Sequence, residues 1–155
     1  LKPVTLNILS RLEINLLQRD LDSYRREKIM ELKKIYTENA PEAIGPYSQA
    51  VKVGDFVFTS GQIALVPQSG TVEAEDIVGQ TEQVMKNLSA VLSAAGSSVE
   101  KAVKTTCFLA DMNDFAAFND VYGKYFTSKP ARSCVAVKQL PKGVLVEVEV
   151  IALAD

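Results

Sequence analysis

Apolar residues recur along this chain with two different periods, and each change of period marks an element. Between Glu75 and Ala95, residues Ile77, Val84, Leu88, Val91, Leu92 and Ala95 fall on one stripe at helical spacing. Glu73, Glu75 and Asp76 complement the positive end of that helix, and Gly96 suits the left-handed stop beyond it. A second stripe runs through Phe115, Phe118, Val121, Tyr122, Tyr125 and Phe126. Asp111 to Asn113 offer it N-cap chemistry, and Lys129-Pro130 breaks it.

The remaining apolar runs read as strands: Leu32 to Thr37, Ser48 to Val53, Asp55 to Ile63, Ala102 to Ala110, Arg132 to Lys138 and Val144 to Leu153. Gly54-Asp55 makes a hairpin of the second and third. Asn39 to Ser48 is a loop punctuated by Pro41, Gly45 and Pro46, and Val66 to Gly70 is a turn. The predicted order is β-β-β-α-β-α-β-β, an α+β sandwich with one mixed sheet and two helices on one face. In the last strand Val144, Val146, Val148 and Val150 fill one face, whereas Leu145, Glu147, Glu149 and Ile151 share the other. That second face is half apolar, which predicts burial against other copies. The last two strands, joined by Gln139 to Gly143, read as an antiparallel hairpin that brings Arg132 within a few residues of Glu147.

Residues 1–29 have a different character. Leu9, Leu12, Leu16, Leu17 and Leu21 share roughly one helical face, which allows a short amphipathic helix. No cationic, apolar and small-residue order of a secretory signal is seen. Arg25-Arg26, followed by Glu27-Lys28-Ile29-Met30, is what the ribosome-binding sequence AGGAGG gives when read in frame ahead of a start codon. Residues 1–29 are therefore expected to be a non-native or flexible extension, with Met30 opening a single domain over 30–155. Mass spectrometry of the protein from its own cells tests this, and a product carrying residues 1–29 sinks it.

Composition narrows the chemistry. A chain of 155 residues, 47% hydrophobic and 23% charged, suits one globular domain with a real core. The net charge of −2 offers no basic field for nucleic acid. No apolar run reaches about 18 residues, so no membrane span is expected. Cys107 and Cys134 lack metal or C-x-x-C spacing, so a reduced cytoplasmic setting is expected. There is no histidine, which removes Ser-His and Cys-His nucleophile pairs, histidine zinc sites and histidine acid–base catalysis.

The candidates that remain are few. Arg132, at a strand entrance among small residues, can hold a carboxylate in its fork of N–H donors. Glu147 and Glu149 form either a solvent-facing strip or, beside Arg132, a site with a cation for substrate and a carboxylate for water. An apolar wall raises a carboxylate's pKa, which suits a general base. Cys134 follows Arg132 on the same face and reads as a small core residue or a nucleophile. Tyr47 reads as packing or as a hydroxyl that orients a ligand, and Asn119 alone reads as a solvated side chain.

Several dispersed stretches, in order, closely resemble the reactive intermediate deaminase family (RidA, or YjgF-type). They are Ala43 to Ala50, Thr59-Ser60-Gly61-Gln62-Ile63, Pro130 to Val135, and Leu140-Pro141-Lys142 through Val146-Glu147-Val148-Glu149. The resemblance covers the chain from about Leu32 to its end. It implies a chorismate mutase-like fold and homotrimers with sites between subunits. The implied activity is hydrolysis of 2-enamine/2-imine acids, such as 2-aminoacrylate and 2-iminobutanoate, to 2-keto acids and ammonia, which protects pyridoxal-phosphate enzymes. No cofactor or metal is implied. By the same resemblance Arg132 binds the substrate carboxylate, Glu147 activates water and Tyr47 fixes the substrate. Cys134 acts through its backbone, while Ser60, Gly61 and Asn119 line the pocket. Two features depart from the family pattern: Ala136 stands where many members carry glutamate, and the segment before Pro130 is short. Competing readings are an RNA-cleaving inhibitor of translation initiation, and a non-catalytic ligand-binding or chaperone-like trimer. The acidic pI and missing histidine weigh against the former.

Overall fold

The computed structural model describes residues 11–154. The chain divides into two units, 1–31 and 32–155. In the first, helix α1 (Arg11–Met30) carries Leu16, Leu17 and Leu21, each about half exposed. Leu9 and the side chain of Leu12, also assigned to that stripe, lie outside the described residues.

The second unit is a mixed seven-stranded sheet with two long helices. Its strands are β1 (Leu32–Ile35), β2 (Ala50–Val53), β3 (Phe56–Thr59), β4 (Gln62–Ile63), β5 (Ala102–Leu109), β6 (Ala131–Ala136) and β7 (Val146–Leu153). The helices are α2 (Ile77–Ala94) and α3 (Phe115–Tyr125). The order across the sheet is β1-β2-β3-β7-β5-β6, with β4 also on β7. Every pairing is antiparallel except β5–β6.

Both helical stripes are buried as the periodicity predicts. Val84, Leu88, Val91 and Leu92 of α2 are fully covered, as is Phe118 of α3. They meet Val57, Cys107, Leu109 and the Val146, Val148, Val150 row of the sheet, which are likewise sealed from solvent. Asp76 caps α2 by accepting from the Gly79 amide at 2.8 Å. Gly96 stops it at a φ of 74°, and the Ser97 amide donates to the Leu92 carbonyl in the turn that follows.

Two expectations need correction. The segment from Asp55 to Ile63 is not one strand: it breaks at Ser60-Gly61 into β3 and β4, which pair with successive parts of β7. More consequentially, β6 and β7 do not form a hairpin. β5 lies between them, parallel to β6 and antiparallel to β7. The reason is topological. The β5-α3-β6 segment is a crossover unit, and a helix laid over the sheet returns the next strand parallel to the one it left. The link to β7, with its tight turn at Pro141–Gly143, then carries the chain past β5 to the other side.

The helix-free face of the sheet is apolar over much of its area. Leu32, Phe56, Phe58, Val135 and Leu153 are each more than 40% exposed there. Glu147 and Glu149 stand on the same face, because Val146, Val148 and Val150 point into the core.

Candidate active site

The residues singled out from the sequence fall into two groups on opposite sides of the sheet. The parity of the strand register decides this. Arg132 is paired with Thr105 and Glu147 with Phe108, both on β5. The two positions on β5 are an odd number of residues apart, and alternate residues point to opposite faces. Arg132 and Cys134 therefore face the helices, and Glu147 faces away.

The Glu147 group lines a cavity of about 360 Å³ together with Tyr47, Ser60 and Gly61. Apolar walls come from Ile44, Ile63, Leu65 and Pro141. Buried Gln49 holds the loop that carries Tyr47. Its amide donates to the carbonyls of Thr37 and Pro41 at 3.0 and 2.8 Å, and its oxygen accepts from the Thr37 amide at 2.7 Å. Ser60 is anchored twice to the same loop, by its amide to the Gln49 carbonyl and by its hydroxyl to the Ser48 carbonyl at 2.7 Å. From above, Asn87 of α2 donates to the carbonyls of Ile63 and Leu65 at 3.0 and 2.9 Å, which sets the opposite wall.

The Glu147 side chain packs against Gly61. A Cβ at this position would overlap Glu147 Oε1, so any side chain here would displace the carboxylate. Burial, with the nearby Glu149 charge second, pushes the Glu147 pKa up from its usual value. No salt bridge holds Glu147 among the described residues. It is a half-buried, unpaired carboxylate with the character of a general base.

The Arg132 group is built differently. Arg132 Nη1 donates to Asn119 Oδ1 at 2.6 Å. The guanidinium carbon lies 4.6 Å from the Tyr122 ring centroid and 5.5 Å from that of Phe115. Tyr122 is itself fixed by a 2.8 Å hydrogen bond between its hydroxyl and Thr105 Oγ1. A cavity of about 460 Å³ opens beside them, lined also by Lys129 and Pro130. One donor edge of the guanidinium is used internally and its π-face is stacked, which leaves its other N–H groups for an oxyanion.

Cys134 shares the Arg132 face and is the strand partner of Cys107. Both thiols are free. Burial raises the Cys134 pKa and pushes that of Cys107 up to about 12. Both therefore remain protonated and are weak nucleophiles near neutral pH. Among the described residues no cluster of acidic or cysteine side chains could hold a metal ion, and no helix is long and apolar enough to cross a membrane.

Sequence reasoning missed Tyr122 and Phe115 as partners of Arg132, having placed both in the apolar stripe of α3. The stripe does bury Tyr122, but a tyrosine amid phenylalanines was the available signal: a buried hydroxyl needs a partner.

The chain matches the endoribonuclease L-PSP family over residues 37–154. It is 55% identical over 122 residues to a RutC family protein of Pyrococcus horikoshii, spanning 78% of this chain and 97% of that protein. It is 51% identical over 125 residues to a 2-iminobutanoate/2-iminopropanoate deaminase of Salmonella typhimurium, again over 78% of this chain and 97% of the relative. Among solved structures, the YjgF gene product of E. coli superposes with a TM-score of 0.76 at 47% identity, covering 79% of this chain and 99% of the other.

Proposed function

The chain belongs to the endoribonuclease L-PSP family, which includes the YjgF, RidA and RutC proteins, and on that premise we propose that it hydrolyses reactive 2-enamine/2-imine acids to 2-keto acids and ammonia. Substrates of this class include 2-aminoacrylate and 2-iminobutanoate, and their removal spares the pyridoxal-phosphate enzymes that release them. The observation that carries this reading is Glu147, an unpaired carboxylate of raised pKa held against Gly61 in a largely apolar cavity. The deaminase name of the Salmonella relative supports it.

In this mechanism Arg132 grips the substrate carboxylate through its free N–H groups. The protonated imine is already electrophilic, so the protein supplies orientation and a positioned water. Glu147 takes a proton as the water oxygen bonds to the imine carbon. It returns that proton to the amine nitrogen, and as the C–N bond breaks it takes the hydroxyl proton of the adduct, which passes to the departing ammonia; a 2-keto acid and ammonium are left. Tyr47 and Ser60 border the reacting atoms, and the Cys134 backbone lies on the Arg132 side.

A single chain does not bring these roles together, because Arg132 and Glu147 face opposite ways. The proposed site therefore forms between copies, in a homotrimer whose contacts use the exposed apolar sheet face. Mixing subunits tests this. Arg132→Ala and Glu147→Ala proteins are each inactive alone, but unfolded together and refolded they regain about a quarter of wild-type activity. That is the share of interfaces in a random symmetric assembly that pair an intact arginine with an intact glutamate. No recovery argues for a site within one chain.

The decisive assay couples threonine dehydratase and threonine to this protein and follows decay of the imine. Faster decay with the protein present supports the reading. RNA cleavage with no effect on imine decay would favour the ribonuclease activity that the family's name carries.

A further inference from the structure

Among the described residues only two non-glycine residues have a positive φ: Lys129 at 54° and Lys142 at 57°. A left-handed backbone favours glycine or asparagine, and lysine pays a conformational cost there. Strained positions of this kind concentrate at functional sites. Each of these lysines lines one of the two half-sites: Lys142 the Glu147 cavity, Lys129 the Arg132 cavity. Both are exposed, and neither makes an ion pair among the described residues.

We propose that Lys129 and Lys142 form a cationic rim that captures the anionic substrate when two copies bring the half-sites together. The charges around each cavity give the reason. The charged residues lining the Glu147 cavity are Glu42, Glu147 and Lys142. Without the lysine, two carboxylates would face a substrate that carries a carboxylate of its own. Those lining the other cavity are Lys129 and Arg132, with no acid among them. Arg132 is half-buried and held in place by Asn119 and two rings, whereas Lys129 is exposed on a compact turn, its amide donating to the Phe126 carbonyl at 3.1 Å before Pro130. An imine that decays in water must be intercepted quickly, so attraction at the mouth acts on kcat/KM rather than on the chemical step. A unit charge about 7 Å from the substrate in water changes capture by about threefold, and two such charges by about tenfold.

The inference rests on the imine-hydrolase reading, and two measurements keep their failures apart. In the threonine dehydratase assay at about 20 mM salt, Lys129→Gln and Lys142→Gln each lower kcat/KM about threefold and the double variant about tenfold, with kcat held. At about 1 M salt the difference disappears, because screening acts within about 3 Å. Lys129→Asn and Lys142→Asn show the same kinetic loss with an unchanged or higher Tm, since asparagine relieves the left-handed backbone. A double variant with wild-type kcat/KM at low salt overturns the proposal, as does a loss that persists at 1 M salt. The second measurement is calorimetric binding of 2-oxobutanoate, which needs no turnover. If the wild type hydrolyses no imine, the functional reading falls, and this arm still decides the lysines. A salt-dependent loss of affinity in the double variant supports the rim; equal affinity, or no binding by the wild type, overturns it.

Discussion

The two halves of the proposed site hold their key residues by opposite means. Arg132 is held by matter: an amide oxygen on one edge and two aromatic rings from the same helix. Glu147 is held by a clearance: its carboxylate occupies the space that a side chain on Gly61 would fill. The difference suits the two tasks. A carboxylate-binding cation gains from a rigid, weakly hydrated fork whose direction is set beforehand. A base gains from a partly desolvated setting with no countercharge to pin its proton affinity low.

The comparison breaks most directly at its centres. Glu147→Ala is expected to lower kcat by about 10²- to 10⁴-fold, the range for losing a positioned general base, with little change in affinity for 2-oxobutanoate. Arg132→Ala is expected instead to weaken 2-oxobutanoate binding by about 10²-fold or more, the scale of one or two charge-assisted hydrogen bonds. Full activity in Glu147→Ala removes the assigned role outright.

Gly61→Ala probes the clearance. The new methyl displaces the carboxylate by an ångström or so, and misplacement of that size costs about 10²-fold in kcat while the fold stays intact. An alanine variant with normal kcat would show that the carboxylate has other workable positions. The aromatic cradle is probed by Tyr122. Tyr122→Phe keeps the ring and is expected to keep KM within about threefold of wild type. Tyr122→Leu removes the ring face and raises KM about tenfold, on the scale of a partly desolvated cation–π contact. Equal KM values for the two variants would make Tyr122 a core residue only.

The smallest expected effect concerns protons. Glu147 has a folded-state pKa raised above its usual 4.5, chiefly by burial. Its contribution to stability is therefore fully present below its unfolded pKa and is lost as pH rises through the folded one. Glu147→Gln should raise Tm at pH 7, with the gain vanishing below about pH 4. In the active protein the acid limb of kcat should fall above 4.5 and move down in Glu149→Gln, which removes the second cause of the shift. A Glu147→Gln variant with lower Tm at pH 7 contradicts the burial argument.

Much of this architecture was legible beforehand, for local reasons. The α2 stripe and the Gly96 stop depend on residues within a few positions of one another, and both are found; Asp76, read as a charge for the helix dipole, also caps the helix. The apolar second face of the sheet was also legible from alternation in β7. Within the candidate site, Tyr47, Ser60, Gly61 and Glu147 share one cavity, and Arg132 and Asn119 are in direct contact. The division of those residues between two faces was not legible. Neither was the cradle of Phe115 and Tyr122, because a helical stripe says which residues are inward and not which cation they meet.

By itself the sequence determined both core helices and most of the strands, the inward and outward residues of each, and the residues able to do acid–base work without histidine. Those properties follow from period, capping and side-chain chemistry, which act over a turn or a strand. Only the tertiary structure decided that β5 lies between β6 and β7. Strand adjacency is chosen by crossover geometry and by burial of the whole sheet, and nothing within either strand encodes it. One intervening strand, with an odd offset in its register, turned a predicted pair into two half-sites on opposite faces.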